Sequence, residues 1–190
     1  LYTWAVLSPA GAAPCYPHSA DDAPGRALTP CDATWKRAEI VDVGFAMAAA
    51  LPGMPGLSGD LAGLAPELRQ EVARWLDLWK QHRTWFRHAQ GHLLTPVRPL
   101  ADNTGWAAFE FSAADEALIL AFRLTDLNPA FRTRLCSPDP DARYTLNWLD
   151  DRPDETRTGR ELLDDGVCFH VPNPFHVAGL VIRRAGTEGR

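Results

Sequence analysis

Over residues 66–89, large and mostly apolar residues recur at steps of three and four, which is the spacing of one face of an α-helix. Pro66 suits a first helical turn, where its missing N–H costs nothing, and Gly91 suits the stop. The predicted face consists of Leu68, Val72, Trp75, Leu76, Trp79, His82 and Phe86. The same spacing predicts another helix over residues 35–51, which Pro52-Gly53 ends.

Downstream of Gly91 the pattern changes to short apolar or alternating runs. Turn residues separate these runs, as in Asp102-Asn103-Thr104-Gly105 and Asp164-Asp165-Gly166. Strands are predicted over residues 93–100, 106–111, 117–124, 142–149, 167–171 and 176–183. Six short strands with such turns favour an antiparallel β-sandwich.

The first ninety residues instead alternate short extended segments with helices. Residues 1–7 form an apolar run, and residues 54–61 form a short apolar segment between two helices, which suits a buried parallel strand. The predicted fold class is therefore α/β plus all-β. Two strand–helix units cannot close a parallel sheet alone, so we expect the chain to be the C-terminal part of a longer protein.

Composition excludes several classes of protein. The chain has 190 residues, of which 46% are hydrophobic and 23% charged, with a formal net charge of −5. These values are typical of a globular protein rather than a disordered or fibrous one. The negative charge argues against a broad nucleic-acid or anionic-membrane surface. No uncharged apolar run approaches the ~20 residues of a membrane span. We therefore expect neither nucleic acid nor membrane as a partner.

The four cysteines, Cys15, Cys31, Cys136 and Cys168, include no CxxC pair. Their spacing fits neither a zinc ribbon nor a dense disulfide scaffold. Buried free thiols in a reducing compartment are expected, and with them a cytoplasmic location. A Cys15–Cys31 disulfide is the alternative.

Three motifs resemble one family of glycosidases. Gly56, Asp60, Leu61 and Leu64 match the pattern G-x-x-x-D-L-x-x-L, which is similar to the last barrel strand of α-galactosidases of glycoside hydrolase family 36. Tyr16-Pro17, Gly25-Arg26 and Thr29-Pro30 resemble that family's seventh strand and its loop. Residues 158–163 (TGRELL) with Gly166 resemble a run in its C-terminal domain.

The resemblance implies the fold and the activity of the parent protein. Residues 1–90 would be the last two strand–helix units of a (β/α)8 barrel, and residues 91–190 a C-terminal antiparallel β-sandwich. The family implies a retaining α-galactosidase that hydrolyses terminal α-galactosides. Two carboxylates about 5–5.5 Å apart carry such chemistry, so no cofactor is needed. Neither catalytic Asp motif of the family appears in these residues, so no catalytic residue is assigned and the isolated chain is expected to be inactive. A homo-oligomer of the full-length parent stays open.

Candidate substrate-binding residues follow from this resemblance. Active sites of such barrels are built from the loops after the strands. Asp21 and Asp22 are adjacent carboxylates in such a loop and are candidates for binding sugar hydroxyls, with a solvated turn as the alternative. Tyr16 and His18 lie at the predicted strand end and are candidates for contacts at the rim of an oligosaccharide site. Asp60 is expected to cap or brace the turn into the next helix, with catalysis as the alternative because it too lies at the carboxyl end of a predicted strand.

No metal site is predicted. His88 and His92 are four residues apart, but Gly91 between them is expected to end the helix, and no carboxylate follows at ligand spacing. The acidic residues between positions 139 and 155 are expected to form a solvated face.

Two other functions remain open. One is a carbohydrate-binding or assembly module, which an exposed coplanar pair of Trp106 and Trp148 would favour and burial of both would count against. The other is an α-glucosidase or a raffinose-type galactosyl transferase of the same clan.

Overall fold

A computed structural model describes residues 2–8, 11–15, 42–59, 61–99 and 102–186. The chain divides into two compact units, Leu1–Arg83 and Thr84–Arg190. The elements are β1 (Tyr2–Ser8), β2 (Gly11–Cys15), α1 (Val43–Ala50), β3 (Met54–Gly59), α2 (Pro66–Phe86), β4 (Gln90–Leu93), β5 (Trp106–Ala113), β6 (Glu116–Arg123), β7 (Ala130–Thr133), β8 (Arg143–Trp148), β9 (Glu155–Thr158), α3 (Gly159–Asp164), β10 (Val167–His170) and β11 (His176–Arg184).

The first unit contains a three-stranded sheet in the order β2-β1-β3. β1 pairs with β3 in parallel and with β2 in the antiparallel sense. The prediction of a parallel strand near residues 54–61 is therefore confirmed, although the strand ends at Gly59. Its predicted burial is wrong at Met54, which is 53% exposed.

The helix α1 begins later than the periodicity predicts. Asp42 has an extended ψ of 147°, and its carboxylate accepts the N–H of Phe45 at 3.3 Å, which makes it the N-cap. The helix predicted over residues 35–51 therefore does not run through Asp42. Sequence spacing could not separate a capping Asp from a solvent-facing one, because both are polar positions beside an apolar run.

The helix α2 confirms the strongest periodic pattern in the sequence. It begins at Pro66, has Glu67 in its first turn and Arg83 in its last, and ends at Phe86. These charges suit the partial charges of the helix ends. Trp75 and His82 are buried, and Trp79 donates its indole N–H to the carbonyl of Gly53 at 3.2 Å. The predicted helix thus holds, and it ends three residues before the predicted position.

The second unit is mostly antiparallel sheet and resembles a β-sandwich. A six-stranded sheet has the order β4-β5-β6-β11-β8-β9, and β10 pairs with β7 in a separate two-stranded sheet. One buried cluster joins side chains of both sheets and α3; it includes Ala108, Ile119, Leu146, Leu162, Phe169 and Leu180. A core between two sheets is the defining feature of a sandwich.

Strand prediction in this unit failed at three places. The strand predicted over residues 93–100 is wrong over residues 94–99, because Pro96 and Pro99 have no N–H to give to a ladder. The strands β7 and β9 were missed. The sequence of β9, Glu155-Thr156-Arg157-Thr158, has no apolar alternation that could mark it.

None of the helices in the described ranges is both long and apolar enough to cross a membrane.

Candidate functional site

The carboxyl ends of β1 and β3 lie at the same edge of the three-stranded sheet. Because the two strands are parallel and Leu7 pairs with Gly59, the chain leaves both strands on that side. Substrate sites of α/β barrels are built from loops at this edge. The chain therefore leaves both parallel strands at one edge of this sheet, after Ser8 and after Gly59.

The predicted substrate-binding residues Tyr16, His18, Asp21 and Asp22 lie outside the described residues, as does Asp60. β2 runs back along β1 and ends with Cys15 opposite Trp4. The last described residue before the candidate loop is thus beside the middle of β1, not at its carboxyl end. The role of these residues stays a prediction.

Two carboxylates that were not predicted as site residues converge at the start of α1. A Cβ atom built on Gly44 would lie 2.6 Å from Oε1 of Glu71 and 2.8 Å from Oδ2 of Asp42. The amino end of a helix carries partial positive charge, which favours carboxylates. Since Asp42 also caps α1, the pair is explained by packing of α2 against the start of α1 at a glycine, and catalysis is not needed to account for it.

Glu110 is a buried carboxylate of the second unit. It is fully buried in β5, on the inward face that Trp106 and Ala108 share. Its Oε2 accepts the N–H of Cys136 at 2.6 Å, and its Oε1 accepts the N–H of Ser137 at 2.9 Å and a short hydrogen bond from the Ser137 hydroxyl. A buried carboxylate needs such donors. Glu110 therefore fixes the loop that follows β7.

The Cys136 thiol lies beside this carboxylate. Burial raises its pKa, and the charge of Glu110 and a hydrogen bond to Glu110 raise it further. Cys136 and Cys168 are both exposed residues with free thiols. The predicted burial of these two cysteines is therefore wrong, because a strand-end loop and the outward face of β10 carry them.

We expect Cys136 to react slowly with iodoacetamide at pH 8, because the raised pKa leaves less thiolate, which is the nucleophile. The rate should still be rising with pH where a free cysteine has reached its plateau. Peptide mapping by mass spectrometry over a pH series measures the rate at Cys136, with free cysteine in the same tubes as the reference. Identical pH profiles for the two thiols would contradict this expectation.

Arg123, at the end of β6, is a buried cation of the same unit. Its guanidinium donates to the carbonyls of Asp126 (2.6 Å), Val171 (2.9 Å) and Pro172 (2.5 Å), and more weakly to that of Leu127. All these acceptors belong to the connections after β6 and β10. Arg123 therefore ties two loops together at one end of the sheet, and the site it forms is structural.

The run at residues 158–166 folds as a capped helix with two close backbone approaches. Thr158 and Glu161 form a capping box at the start of α3, and Leu162 is fully buried. A Cβ at Gly159 would lie 1.8 Å from the Asp139 carbonyl oxygen, and Gly166 has φ of +71°. Each notable residue of the run therefore has a packing or backbone role.

The solved structures that match this chain include several α-galactosidases. The α-galactosidase AgaA of Geobacillus stearothermophilus, as a variant in complex with stachyose, matches with a TM-score of 0.66 and 22% identity, over 79% of this chain and 20% of its own. An α-galactosidase from Lactobacillus brevis matches with a TM-score of 0.62 and 19% identity, over 80% of this chain and 21% of its own. The chain shares the fold of part of the family 36 α-galactosidases.

The resemblance drawn from the sequence motifs is thus confirmed at the level of the fold. The galactosidase domain of an α-galactosidase–sucrose kinase also matches, with a TM-score of 0.61 and 18% identity, over 73% of this chain and 19% of its own. No family model and no curated protein matches the sequence. The chain spans about a fifth of the length of the α-galactosidases it matches.

Trp106 and Trp148 do not form the exposed coplanar pair that would stack on a sugar. Trp106 is buried and stacks on Phe131, with ring centroids 5.2 Å apart. Trp148 is half-buried; it packs edge-on against Phe169, and the Arg152 guanidinium lies 3.4 Å from its ring centroid. The structure therefore lacks the exposed tryptophan pair that would have favoured a carbohydrate-binding or assembly module.

The loop before β5 holds the carboxylate with the largest described pKa shift. The hydroxyl and the N–H of Thr104 donate to Asp102 at 2.6 and 3.0 Å, and Arg98 donates at 3.0 Å. These hydrogen bonds, with that of the Thr104 hydroxyl largest, lower the pKa of Asp102 from 3.8 to about 2. The pKa of Asp102 is lower in the folded chain than in the unfolded chain, so its ionised carboxylate stabilises the folded state above pH 3.8. That stabilisation is lost as the pH falls towards 2.

Thr104→Val is expected to raise the pKa of Asp102 towards 3.8, because it removes the hydroxyl that donates the strongest of these bonds. Carbon-detected NMR titration of the side-chain carboxyl measures the shift. Thr125→Val is the matched control, since the Thr125 hydroxyl donates to the Asn103 carbonyl instead. An unchanged Asp102 pKa in Thr104→Val would contradict the assignment.

Arginines accompany several of the acidic residues between positions 139 and 155. Asp150 accepts bonds from Arg152 at 2.8 to 3.0 Å, and Arg184 lies 3.2 Å from Asp139. Within the part of the chain that the structure describes, no group of three or more metal-ligating side chains occurs. Ion pairs with arginines therefore account for much of this acidic region.

Proposed function

We propose that this chain is part of a retaining, α-galactosidase-like glycosidase that hydrolyses terminal α-galactosides. The fold shared with family 36 enzymes carries the proposal, with a TM-score of 0.66 over 79% of the chain. The motif at residues 158–166 supports it, because the run that resembles the family's C-terminal domain forms a capped and tightly packed helix here. The carboxylate pair that performs such a reaction would belong to another part of the parent.

The barrel assignment belongs to this proposal. Residues 1–90 would be the last two strand–helix units of a (β/α)8 barrel, and residues 91–190 the C-terminal sandwich. The parallel pairing of β1 with β3, with α1 between them in sequence and α2 after β3, supports it. Among the described strands none pairs with the second edge of β3, and a barrel would place a parallel strand there. The antiparallel β2 on the outer edge of β1 departs from a simple barrel arc.

The substrate assignment rests on the same enzymes. Variants of AgaA have been solved in complex with raffinose and with stachyose, which makes an oligosaccharide the proposed partner of the parent. Tyr16, His18, Asp21 and Asp22 would contribute contacts to that sugar from the segment that follows β2. A cytoplasmic location is part of the proposal and rests on the dispersed cysteines.

The purified chain alone is expected to show no turnover of an aryl α-galactoside, because it carries neither catalytic Asp motif of the family. Release of the aryl group is followed by absorbance over a day at high protein concentration, with AgaA as the positive control. Turnover above that of the buffer blank, and proportional to the chain concentration, would overturn the assignment of an inactive segment.

Sequencing of the coding region upstream of residue 1 tests whether the chain is part of an α-galactosidase-like glycosidase. We expect there the two catalytic motifs that the resemblance implies, an S-D-x-x-D run with the acid/base Asp and an earlier barrel strand followed by the nucleophilic Asp. We also expect the longer protein to cleave aryl α-galactosides faster than aryl α-glucosides. The reverse preference would support the α-glucosidase of the same clan. An upstream region without these motifs, or a longer protein that cleaves neither substrate, would contradict the proposed function.

A further inference from the structure

We draw no further inference here: the strongest candidate, the apolar surface at the exposed side chains of Val97 and Leu127 on the loops that follow β4 and β6, carries no proposal because nothing in the described residues joins the two side chains or shows what covers them.

Discussion

Replacing Gly159 by alanine is expected to destabilise the second unit by about 3 kcal/mol or more, the upper part of the range for overpacking. The new Cβ would lie 1.8 Å from the carbonyl oxygen of Asp139 and 2.6 Å from its carbonyl carbon. The atoms it meets are backbone, so no side-chain rotation relieves the clash. Two hydrogen bonds keep these backbone segments together, since the Gly159 N–H donates to the carbonyl of Ala142 and the Arg160 N–H to that of Pro140.

The sign of this effect distinguishes packing from helix propensity. Alanine is the better helix former by about 1 kcal/mol, so propensity alone would make Gly159→Ala stabilising. The free energy of unfolding of the second unit is measured by urea unfolding, with hydrogen exchange of the amides in β8 and β11 as the probe. Arg160→Ala on the same helix is the control. Its guanidinium is exposed and pairs with Asp141 at 3.6 Å, so a change within about 0.5 kcal/mol is expected.

If Gly159→Ala were as stable as the unmodified chain, the backbone of residues 139–142 would have to move aside for the new Cβ at little cost in free energy. In that case the packing explanation for the motif at residues 158–166 would be wrong. Loss of the folded second unit in this variant, with Arg160→Ala folded, would agree with the expectation.

Glu110→Ala is expected to destabilise the second unit by about 2–4 kcal/mol, from the cavity left in the core and the loss of an acceptor for three donors. The donors are two consecutive backbone N–H groups, of Cys136 and Ser137, and the Ser137 hydroxyl. Without the carboxylate the loop after β7 has lost its anchor. Faster hydrogen exchange of the Cys136 and Ser137 amides should accompany the lower stability.

Two further variants separate charge from volume at this position. Glu110→Gln keeps the size, but its NH2 group would face an N–H donor, so a clear loss of stability is still expected. Glu155→Ala removes an exposed carboxylate on β9 and should change stability by no more than about 0.5 kcal/mol. If Glu110→Gln and Glu155→Ala were equally harmless, Glu110 would not be the anchor of the loop.

Local patterns predicted the elements that local forces determine. The long helix α2 was predicted because its apolar face repeats at helical spacing over more than five turns, and Pro66 marks its start. The strands β5, β6, β8, β10 and β11 were predicted within a few residues, because apolar runs between turn residues mark them. The strand β9 was missed, since its polar residues gain their pairing from β8 rather than from their own sequence.

The buried charges show where sequence reasoning stopped. Trp106, Ala108 and Glu110 share the inward face of β5 in the structure, and the sequence analysis predicted the strand without assigning Glu110 to the core. Nothing in the sequence identified its partners, because the residues that donate to it are 26 and 27 positions away. Arg123 is similar, as its acceptors include carbonyls 48 and 49 residues further on.

By itself, the order of amino acids determined the helical α2, the change to short strands after residue 91, and the resemblance to family 36, because all three depend on spacing along the chain. Only the tertiary structure decided that Glu110 and Arg123 anchor loops, that Gly159 is required by a neighbouring carbonyl, and that Trp106 is enclosed. Those outcomes depend on which distant segments meet, and hydrogen bonding and close packing act across space.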